Sequence, residues 1–192
     1  MKRWLKNNTT CLKSGFTTVE LIVVIVIIAI LATIVIVAYP GYQTKINNDT
    51  RRSDLSQISA ALKAYAQRNN NYIETGSGCG GSSGAGSGWL SLSSAESGSY
   101  QTSIVKCLQD AEVLDQDKDY VDPSGCFTST TNCKTTGTGY MKKNCTLDGK
   151  KVIYLLARLM DQPSIDSEIS SLCDGGLPWG TQYHVNYYVR VN

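Results

Sequence analysis

The sequence predicts an α+β fold in which one long N-terminal helix packs on a small antiparallel sheet of three or four strands. Three observations predict it. An apolar run from Leu21 to Ala38 is long enough to span a membrane, an amphipathic segment follows from Gln43 to Asn71, and alternating apolar residues end the chain. About 150 residues follow the apolar run, which is enough for one small domain.

The apolar run predicts a membrane helix. Thr33 is the only polar residue among its 18 residues, and as a helix the run is about 27 Å long, close to the hydrocarbon thickness of a bilayer. Ile and Val dominate it, which in water favours a strand, but strands of globular sheets rarely exceed about ten residues. Four basic residues and no acidic residue precede Gly15, so the N-terminal side is predicted to be cytoplasmic.

Glu20 lies where the predicted membrane helix begins. An ionisable side chain in this position is costly unless it has a partner, so it indicates function. A cut after Gly15 would give Phe16 a new α-amino group, one helical turn before Glu20. That amine can neutralise the carboxylate, either within one chain or between packed copies.

The residues from Lys13 to Leu21, KSGFTTVEL, resemble the processing site of type IV prepilins and type II secretion pseudopilins. The resemblance implies that prepilin peptidase cuts after Gly15 and methylates the amine of Phe16, and that Glu20 pairs with this amine during filament assembly. It also implies a helical homopolymer, built from single-pass precursors in the cytoplasmic membrane by a pilus assembly platform and displayed as an extracellular pilus filament. The resemblance covers about the first quarter of the chain.

The resemblance divides the chain into a leader, residues 1–15, a membrane or filament-core helix, residues 16–39, and a globular head, residues 40–192. Many members of the family carry a proline inside the apolar run. Here the proline stands at its end, as Pro40 before Gly41, so the sequence allows a helix break there, with the helix resuming at Gln43.

Two simpler interpretations compete for the N-terminus. A cleaved secretory signal has an apolar region of about 7–15 residues and a cleavage site with small residues. This run is longer, and Ile36-Val37-Ala38 is a poor site. An ordinary signal anchor explains the length and the basic residues, but it does not explain Gly15 or Glu20.

The charge does not predict nucleic-acid binding. The chain has a net charge of +2, but four of its 18 basic residues lie in the leader, which leaves 14 basic against 16 acidic residues. No cluster of Lys and Arg in the remainder suggests a phosphate-binding surface.

The cysteines predict disulfides in an exported head. Of seven cysteines, Cys11 lies in the leader, and the other six follow the membrane run: Cys79, Cys107, Cys126, Cys133, Cys145 and Cys173. An even number in a domain outside the membrane favours bridges, but six cysteines allow 15 pairings and the sequence does not choose among them. Zinc is the alternative, and it is disfavoured because there is no Cys-x-x-Cys and only one histidine, His184.

Residues 43–71 are predicted to form the amphipathic half of the long helix. Leu55, Ile58, Leu62 and Tyr65 recur at spacings of three and four, which places them on one face towards a sheet. The polar residues fall mostly elsewhere: Arg51, Arg52, Asp54, Gln57 and Lys63. Asn69 to Asn71 are expected to end the helix.

The segment from Gly76 to Gly88, GSGCGGSSGAGSG, is predicted to be a mobile surface loop that Cys79 anchors if it is bridged. The resemblance implies that this part of the chain is displayed on the filament. A phosphate-binding glycine loop is the alternative, but the required Gly-Lys-Ser/Thr is missing. Ser94 to Leu114 is predicted to hold a second short helix.

Residues 115–122, DQDKDYVD, resemble the start of a calcium loop, with four candidate ligands: Asp115, Asp117, Asp119 and Asp122. Tyr120 stands where such a loop needs glycine, and Cys126 stands where it needs glutamate. The alternative is an acidic solvated turn that leads into Pro123. No other cofactor is expected.

The C-terminal region, residues 140–192, is predicted to form the sheet. Strands are expected at Tyr140–Asn144, at Lys151–Leu159 and at Tyr183–Val191, with a hairpin turn at Asp148–Gly149 between the first two. In the last strand one face is apolar, formed by Tyr183, Val185, Tyr187, Val189 and Val191.

Other features lie between these strands. Residues 163–173 are expected to hold a short helix. Pro178-Trp179-Gly180 resembles an element that precedes the C-terminal strand in major pseudopilins.

The sequence gives no positive sign of an enzyme. His184, placed in the last strand, is interpreted as a solvent-facing or hydrogen-bonded histidine rather than a catalytic base, and the motifs of hydrolases and metalloproteases are missing.

The predicted function is that of a structural pilus subunit. The alternatives are a secretion pseudopilin, a minor or tip subunit that acts as an adhesin or DNA receptor, and a membrane-anchored binding module that does not polymerise.

Overall fold

The computed structural model describes residues 15–74, 79–81, 84–91, 102–123 and 139–192. The chain forms two compact units, of which the first ends at Tyr42 and the second begins at Gln43. The predicted leader, apart from Gly15, lies outside the described residues.

Helix α1 spans Thr18–Asn69, and Pro40 lies inside it. The break that the sequence allows at Pro40–Gly41 is therefore not observed. Proline removes a single N–H donor, to the carbonyl of Ile36, while the residues on both sides keep helical geometry. The helix ends two residues before the predicted Asn71, because Asn70 adopts a left-handed conformation with φ of 50°.

In the first unit the apolar side chains of α1 are exposed. Phe16 is 83% exposed, and the large apolar residues from Val19 to Ile36 are each about half exposed or more. The most apolar 18-residue window of the helix has a mean hydropathy of 3.6, with no residue buried inside the protein. By length and composition, this helix can cross a membrane.

The second unit contains the predicted antiparallel sheet. Strands β1 (Gly80–Gly81) and β2 (Gly84–Ala85) form a small hairpin. Four further strands form one sheet in the order β3-β4-β5-β6: β3 (Gly88–Trp89), β4 (Met141–Leu147), β5 (Lys150–Ala157) and β6 (Tyr187–Arg190). All neighbouring strands are antiparallel.

The predicted hairpin turn is confirmed. Leu147 pairs with Lys150, so Asp148 and Gly149 form a two-residue connection between β4 and β5. Their φ values of 53° and 70° are both positive, as a type I′ turn requires, and glycine adopts this conformation without strain.

Both faces of the sheet are buried. Alternate residues of β5 point to opposite sides, so that Ile153, Leu155 and Ala157 pack in one core and Val152, Tyr154 and Leu156 in the other. The first core contains the predicted stripe of α1, namely Leu55, Ile58 and Leu62, with Tyr65 half-buried against it. The second core is covered by residues between β5 and β6, including Ile169, Leu172, Leu177 and Trp179.

The described part of the second unit also contains three short helices. Helix α2 (Ile104–Asp110) lies within the predicted range, and the Ser103 hydroxyl caps it by accepting from the N–H of Lys106. Helix α3 (Asp166–Ser170) confirms the predicted short helix in residues 163–173. Helix α4 (Trp179–Tyr183) was not predicted.

Helix α4 corrects the predicted last strand. The strand was expected to begin at Tyr183, but β6 begins at Tyr187, and His184 ends α4 in a left-handed conformation with φ of 55°. The predicted apolar face is divided as a result: Val185 packs in the second core, whereas Val191 packs in the first. The alternating pattern of residues 183–191 does not reveal that β6 begins late. The reason is that Tyr183 belongs to the helical turn of Trp179, whose ring centroid lies 6.0 Å from that of Tyr183.

Part of the glycine-rich segment forms strands where a loop was predicted. Where it is described, it forms β1 and β2 and supplies β3, whose Trp89 pairs with Met141 of β4. Glycine is tolerated here because the strand is short and lies at the edge of the sheet, where backbone pairing needs no side chain. Residues 76–78 and 82–83 lie outside the described residues.

The described residues of the second unit contain two disulfides. Cys79 is bonded to Cys107 in α2, and Cys145 in β4 is bonded to Cys173 after α3. The prediction of bridges is confirmed for these four cysteines, and the structure selects their pairing. Cys126 and Cys133 lie outside the described residues.

Candidate functional site

The predicted processing site precedes the first turn of α1. Gly15 and Phe16 lie before Thr18, where the helix begins, and both are exposed. A side chain at Gly15 would meet no atom within 4 Å, so nothing in the described residues covers this peptide bond. Within the described residues, Gly15 and Phe16 are therefore uncovered.

Glu20 forms a reciprocal cap with Thr17. Its Oε2 accepts from the N–H and the hydroxyl of Thr17, both at 2.8 Å, and the Glu20 N–H donates to the Thr17 hydroxyl at 3.3 Å. This is a capping box, which satisfies N–H groups that the first turn of a helix leaves free. The Thr-x-x-Glu pattern of residues 17–20 is a sequence signal for this cap, which was not predicted.

The capping box gives Glu20 a partner within its own chain. A carboxylate has about four sites for accepting hydrogen bonds, so two bonds from Thr17 leave capacity for a further donor. An α-amino group from a neighbouring copy could therefore bind Glu20 in addition to Thr17 or in its place.

The second component of the site is the uncovered apolar surface of α1 in the first unit. Its exposed residues lie all round the helix and include Leu21, Ile25, Ile28 and Ile36, each more than half exposed. A continuous apolar surface of this size is unfavourable in water and indicates contact with lipid or protein.

The candidate calcium ligands do not form a site. Asp122 is fully buried and makes an ion pair with Arg51, so it is not available to a cation, which corrects its prediction as a ligand. The Asp115 carboxylate accepts from the N–H of Asp117 at 3.0 Å, as in a solvated turn. Among the described residues no group of three or more His, Cys, Asp or Glu side chains is placed to hold a metal ion.

A buried polar cluster holds residues 115–122 and the start of β4 against α1. The Tyr140 hydroxyl donates to Asp54 Oδ2 at 2.8 Å, and the Lys118 Nζ lies 2.6 Å from Asp54 Oδ1. Burial, together with the Asp54 carboxylate, raises the pKa of Tyr140 far above its usual range, so Tyr140 stays a donor. Arg51 and Asp54 were predicted to lie mostly outside the packed face of α1, whereas both are buried.

His184 is exposed at the end of α4 and not in a strand, which corrects its predicted place. Comparisons with protein-family models, with curated proteins and with solved structures found no match to this chain.

Proposed function

We propose that this chain is the structural subunit of a type IV pilus. The observation that carries the proposal is the motif Gly15-Phe16-x-x-x-Glu20 at the start of a helix whose apolar side chains are exposed all round. A signal anchor needs the apolar helix but has no use for a glutamate at its entry.

In the proposed pathway the precursor first resides in the cytoplasmic membrane, where lipid surrounds residues 16–39. Prepilin peptidase cuts after Gly15 and methylates Phe16. The assembly platform then moves the subunit from lipid into a bundle of identical helices, where the apolar surface of α1 stays covered. The exposure of Gly15 and Phe16 among the described residues supports the first step.

Glu20 has a defined role in this proposal. In a bundle without water, a carboxylate needs a partner, and the amine of Phe16 on a neighbouring copy supplies an opposite charge. The capping box with Thr17 would satisfy Glu20 before assembly, while the subunit is still alone in lipid. When the Phe16 amine of a neighbouring copy replaces Thr17 as the partner of Glu20, this pairing would fix the position of each subunit along the filament axis.

The second unit is proposed to be the part displayed on the filament. Its disulfides suit an oxidising exterior, because bridges persist outside the cytoplasm. A pseudopilin of a type II secretion system is the second candidate, and Pro178-Trp179-Gly180 before β6 is the observation that favours it.

The deciding experiment is the intact mass and N-terminal sequence of the protein from a sheared surface fraction. We expect an abundant chain that starts at methylated Phe16 and is lighter by two hydrogen atoms for each disulfide. A chain that starts at Met1 and stays in the membrane would overturn the proposal and favour an anchored binding module. A processed chain that is missing from the sheared fraction would favour the pseudopilin.

A further inference from the structure

Strand β6 forms one edge of the four-stranded sheet. It pairs with β5 on one side, and no other strand of the described residues lies on its second side. The opposite edge of the sheet, β3, is only two residues long, whereas β6 has four residues. An edge strand exposes backbone groups that can pair with another chain, so β6 is the edge of this sheet to which a further strand can be added.

The outward backbone groups of β6 belong to Tyr188 and Arg190. The Val191 N–H donates to the Ile153 carbonyl at 2.9 Å, so Val191 faces β5. Backbone hydrogen bonds alternate between the two sides of an antiparallel strand, so Val189 also faces β5, while Tyr188 and Arg190 face away from it. No loop among the described residues bonds to the backbone of these two residues, which leaves two N–H donors and two carbonyl acceptors along this edge.

Two charged side chains lie beside the same edge. Glu168 of α3 is exposed, and its Oε1 accepts from the Tyr188 hydroxyl at 2.7 Å. Arg190 is also exposed, and its Nε donates to the main-chain oxygen of Asn192. Arg190 lies two positions after Tyr188, on the same face of the strand. In the described part of the chain, neither Glu168 nor Arg190 forms an ion pair with another side chain, so each can take an opposite charge from a second molecule.

We propose that β6 pairs in antiparallel fashion with β6 of a second copy of this chain, centred on Val189, so that the two sheets become one continuous sheet. In this register Tyr188 and the partner's Arg190 exchange both backbone hydrogen bonds, and symmetry repeats the contact. All the outward groups of β6 are then paired. A register that placed Arg190 opposite the partner's Arg190 would bring like charges together. The inference does not depend on whether the chain polymerises through α1.

The side chains on both faces of β6 fit this register. On one face the partner's Arg190 stands directly opposite Tyr188, where its guanidinium can lie against the ring and reach the Glu168 carboxylate at the Tyr188 hydroxyl. On the other face Val189 meets the partner's Val189. From residue 187 to residue 191, no two like charges stand opposite each other. The edge is therefore complementary to itself in shape, hydrogen bonding and charge.

The test is amide hydrogen exchange of the full chain with detergent micelles in excess, read residue by residue by mass spectrometry. A contact along one strand edge is small and predicts a weak dimer, so we compare chain concentrations of about 10 μM and about 1 mM. We expect the N–H groups of Tyr188 and Arg190 to be at least about tenfold better protected at the higher concentration. Val189, which is bonded to β5, should be protected at both concentrations.

This measurement separates the proposed dimer from other forms of association. Copies that associate only through the apolar helix would leave the N–H groups of Tyr188 and Arg190 unprotected at every concentration. An edge that serves an extended segment of a different protein would give the same result in the purified chain. Either outcome would overturn the proposal.

Two variants with reversed charges test the register. In a homodimer of Arg190→Glu, or of Glu168→Arg, like charges meet twice, so each variant alone should lose the protection that depends on concentration. In an equal mixture, one chain is acidic at both positions and the other is basic, so protection of residues 188 and 190 should return. The control Lys150→Glu reverses an exposed charge at the start of β5 and should behave as the wild type. Protection in either single variant alone, or no recovery in the mixture, would overturn the proposal.

Arg190→Pro covers the case in which Glu168→Arg disturbs the second core, which loss of protection in β5 would reveal. Proline removes the outward N–H at position 190 but none of the hydrogen bonds between β6 and β5, and an edge strand tolerates it. We expect β5 to stay protected and Tyr188 to exchange at the same rate at both concentrations. If Tyr188 in Arg190→Pro kept the concentration dependence of the wild type, the pairing of β6 with β6 would be refuted.

Discussion

Arg51 and Asp122, 71 positions apart in the chain, form a fully buried ion pair with two hydrogen bonds. Nε of Arg51 donates to Oδ2 of Asp122 at 2.8 Å, and Nη2 donates to Oδ1 at 2.9 Å. Nη1 of Arg51 donates to Asn48, which also exchanges two hydrogen bonds with the backbone of Met160. This cluster connects α1 to two distant loops.

We predict that Asp122→Ala lowers the free energy of unfolding by about 3–5 kcal/mol, because it leaves the Arg51 charge buried without its carboxylate. Denaturant unfolding in micelles, followed by circular dichroism, measures the change. The control is Asp117→Ala, an exposed residue of the same acidic segment, which should change stability by less than about 0.5 kcal/mol. The double variant Arg51→Met/Asp122→Leu, which replaces both partners, should recover much of the stability lost in Asp122→Ala. Equal losses of stability in Asp122→Ala, Asp117→Ala and the double variant would contradict this account.

Asp174 gives the β4–β5 hairpin an acid-sensitive contact. Its carboxylate accepts from the N–H groups of Gly149 and Asp148, at 3.2 and 3.1 Å, and these bonds lower the pKa of Asp174 below its ordinary value of 3.8. A lowered pKa in the folded state means that the contribution is present above about pH 4 and is lost as the pH falls through the folded value.

We therefore expect Asp174→Asn to be less stable than the wild type at about pH 6, and the two proteins to converge as the pH approaches about 2. Thermal unfolding at a series of pH values checks this. The control Asp117→Asn should show the same change of thermal stability with pH as the wild type. A constant difference between Asp174→Asn and the wild type at all pH values would show that the charge is not involved.

The bridge between Cys145 and Cys173 ties β4 to the segment after α3 in the second core. Each described bridge joins residues 28 positions apart, and closing a loop of this length in the unfolded chain stabilises the folded protein by about 3.5 kcal/mol. We predict that replacing both Cys145 and Cys173 by serine lowers the unfolding free energy by about that amount. Peptide mapping without reduction should recover Cys79 with Cys107 and Cys145 with Cys173, and any exchange of these partners would contradict the fold.

Glu20→Ala tests the proposed assembly step. We expect the variant to insert in the membrane and to be cut after Gly15, because the apolar run and the cleavage site are intact. It should yield few filaments, since the amine of Phe16 loses its partner. Immunoblots of membrane and sheared fractions measure both steps. Asp49→Ala, an exposed acid farther along α1, is the control, and abundant filaments from Glu20→Ala would refute the role of Glu20.

Several elements could be predicted because their causes are local. The length of the apolar run indicates a membrane helix without reference to any other part of the chain. The stripe of Leu55, Ile58 and Leu62 follows from helical periodicity, and Asp148–Gly149 specifies a hairpin turn through its own backbone preference. Gly15, Phe16 and Glu20 were singled out by their place before the apolar run and by the resemblance of KSGFTTVEL to prepilin processing sites, and their function is a proposal.

Other elements depend on residues far apart in the sequence, and the prediction failed or stayed open there. Arg51 looks like a surface residue until Asp122 is placed beside it, and Lys142 looks like part of an exposed strand until three acceptors surround it. The start of β6 was predicted too early because the burial of Trp179 favours one helical turn over a longer strand.

The sequence by itself determined a helix long and apolar enough to cross a membrane, the packed stripe of α1, the central hairpin and the presence of disulfides. Only the tertiary structure decided that the sheet is buried on both faces, which cysteines pair in the described residues and which charges are buried. The reason is physical: periodicity and turn preference act within a few residues, whereas the burial of a charge is stable only when a distant part of the chain supplies its partner.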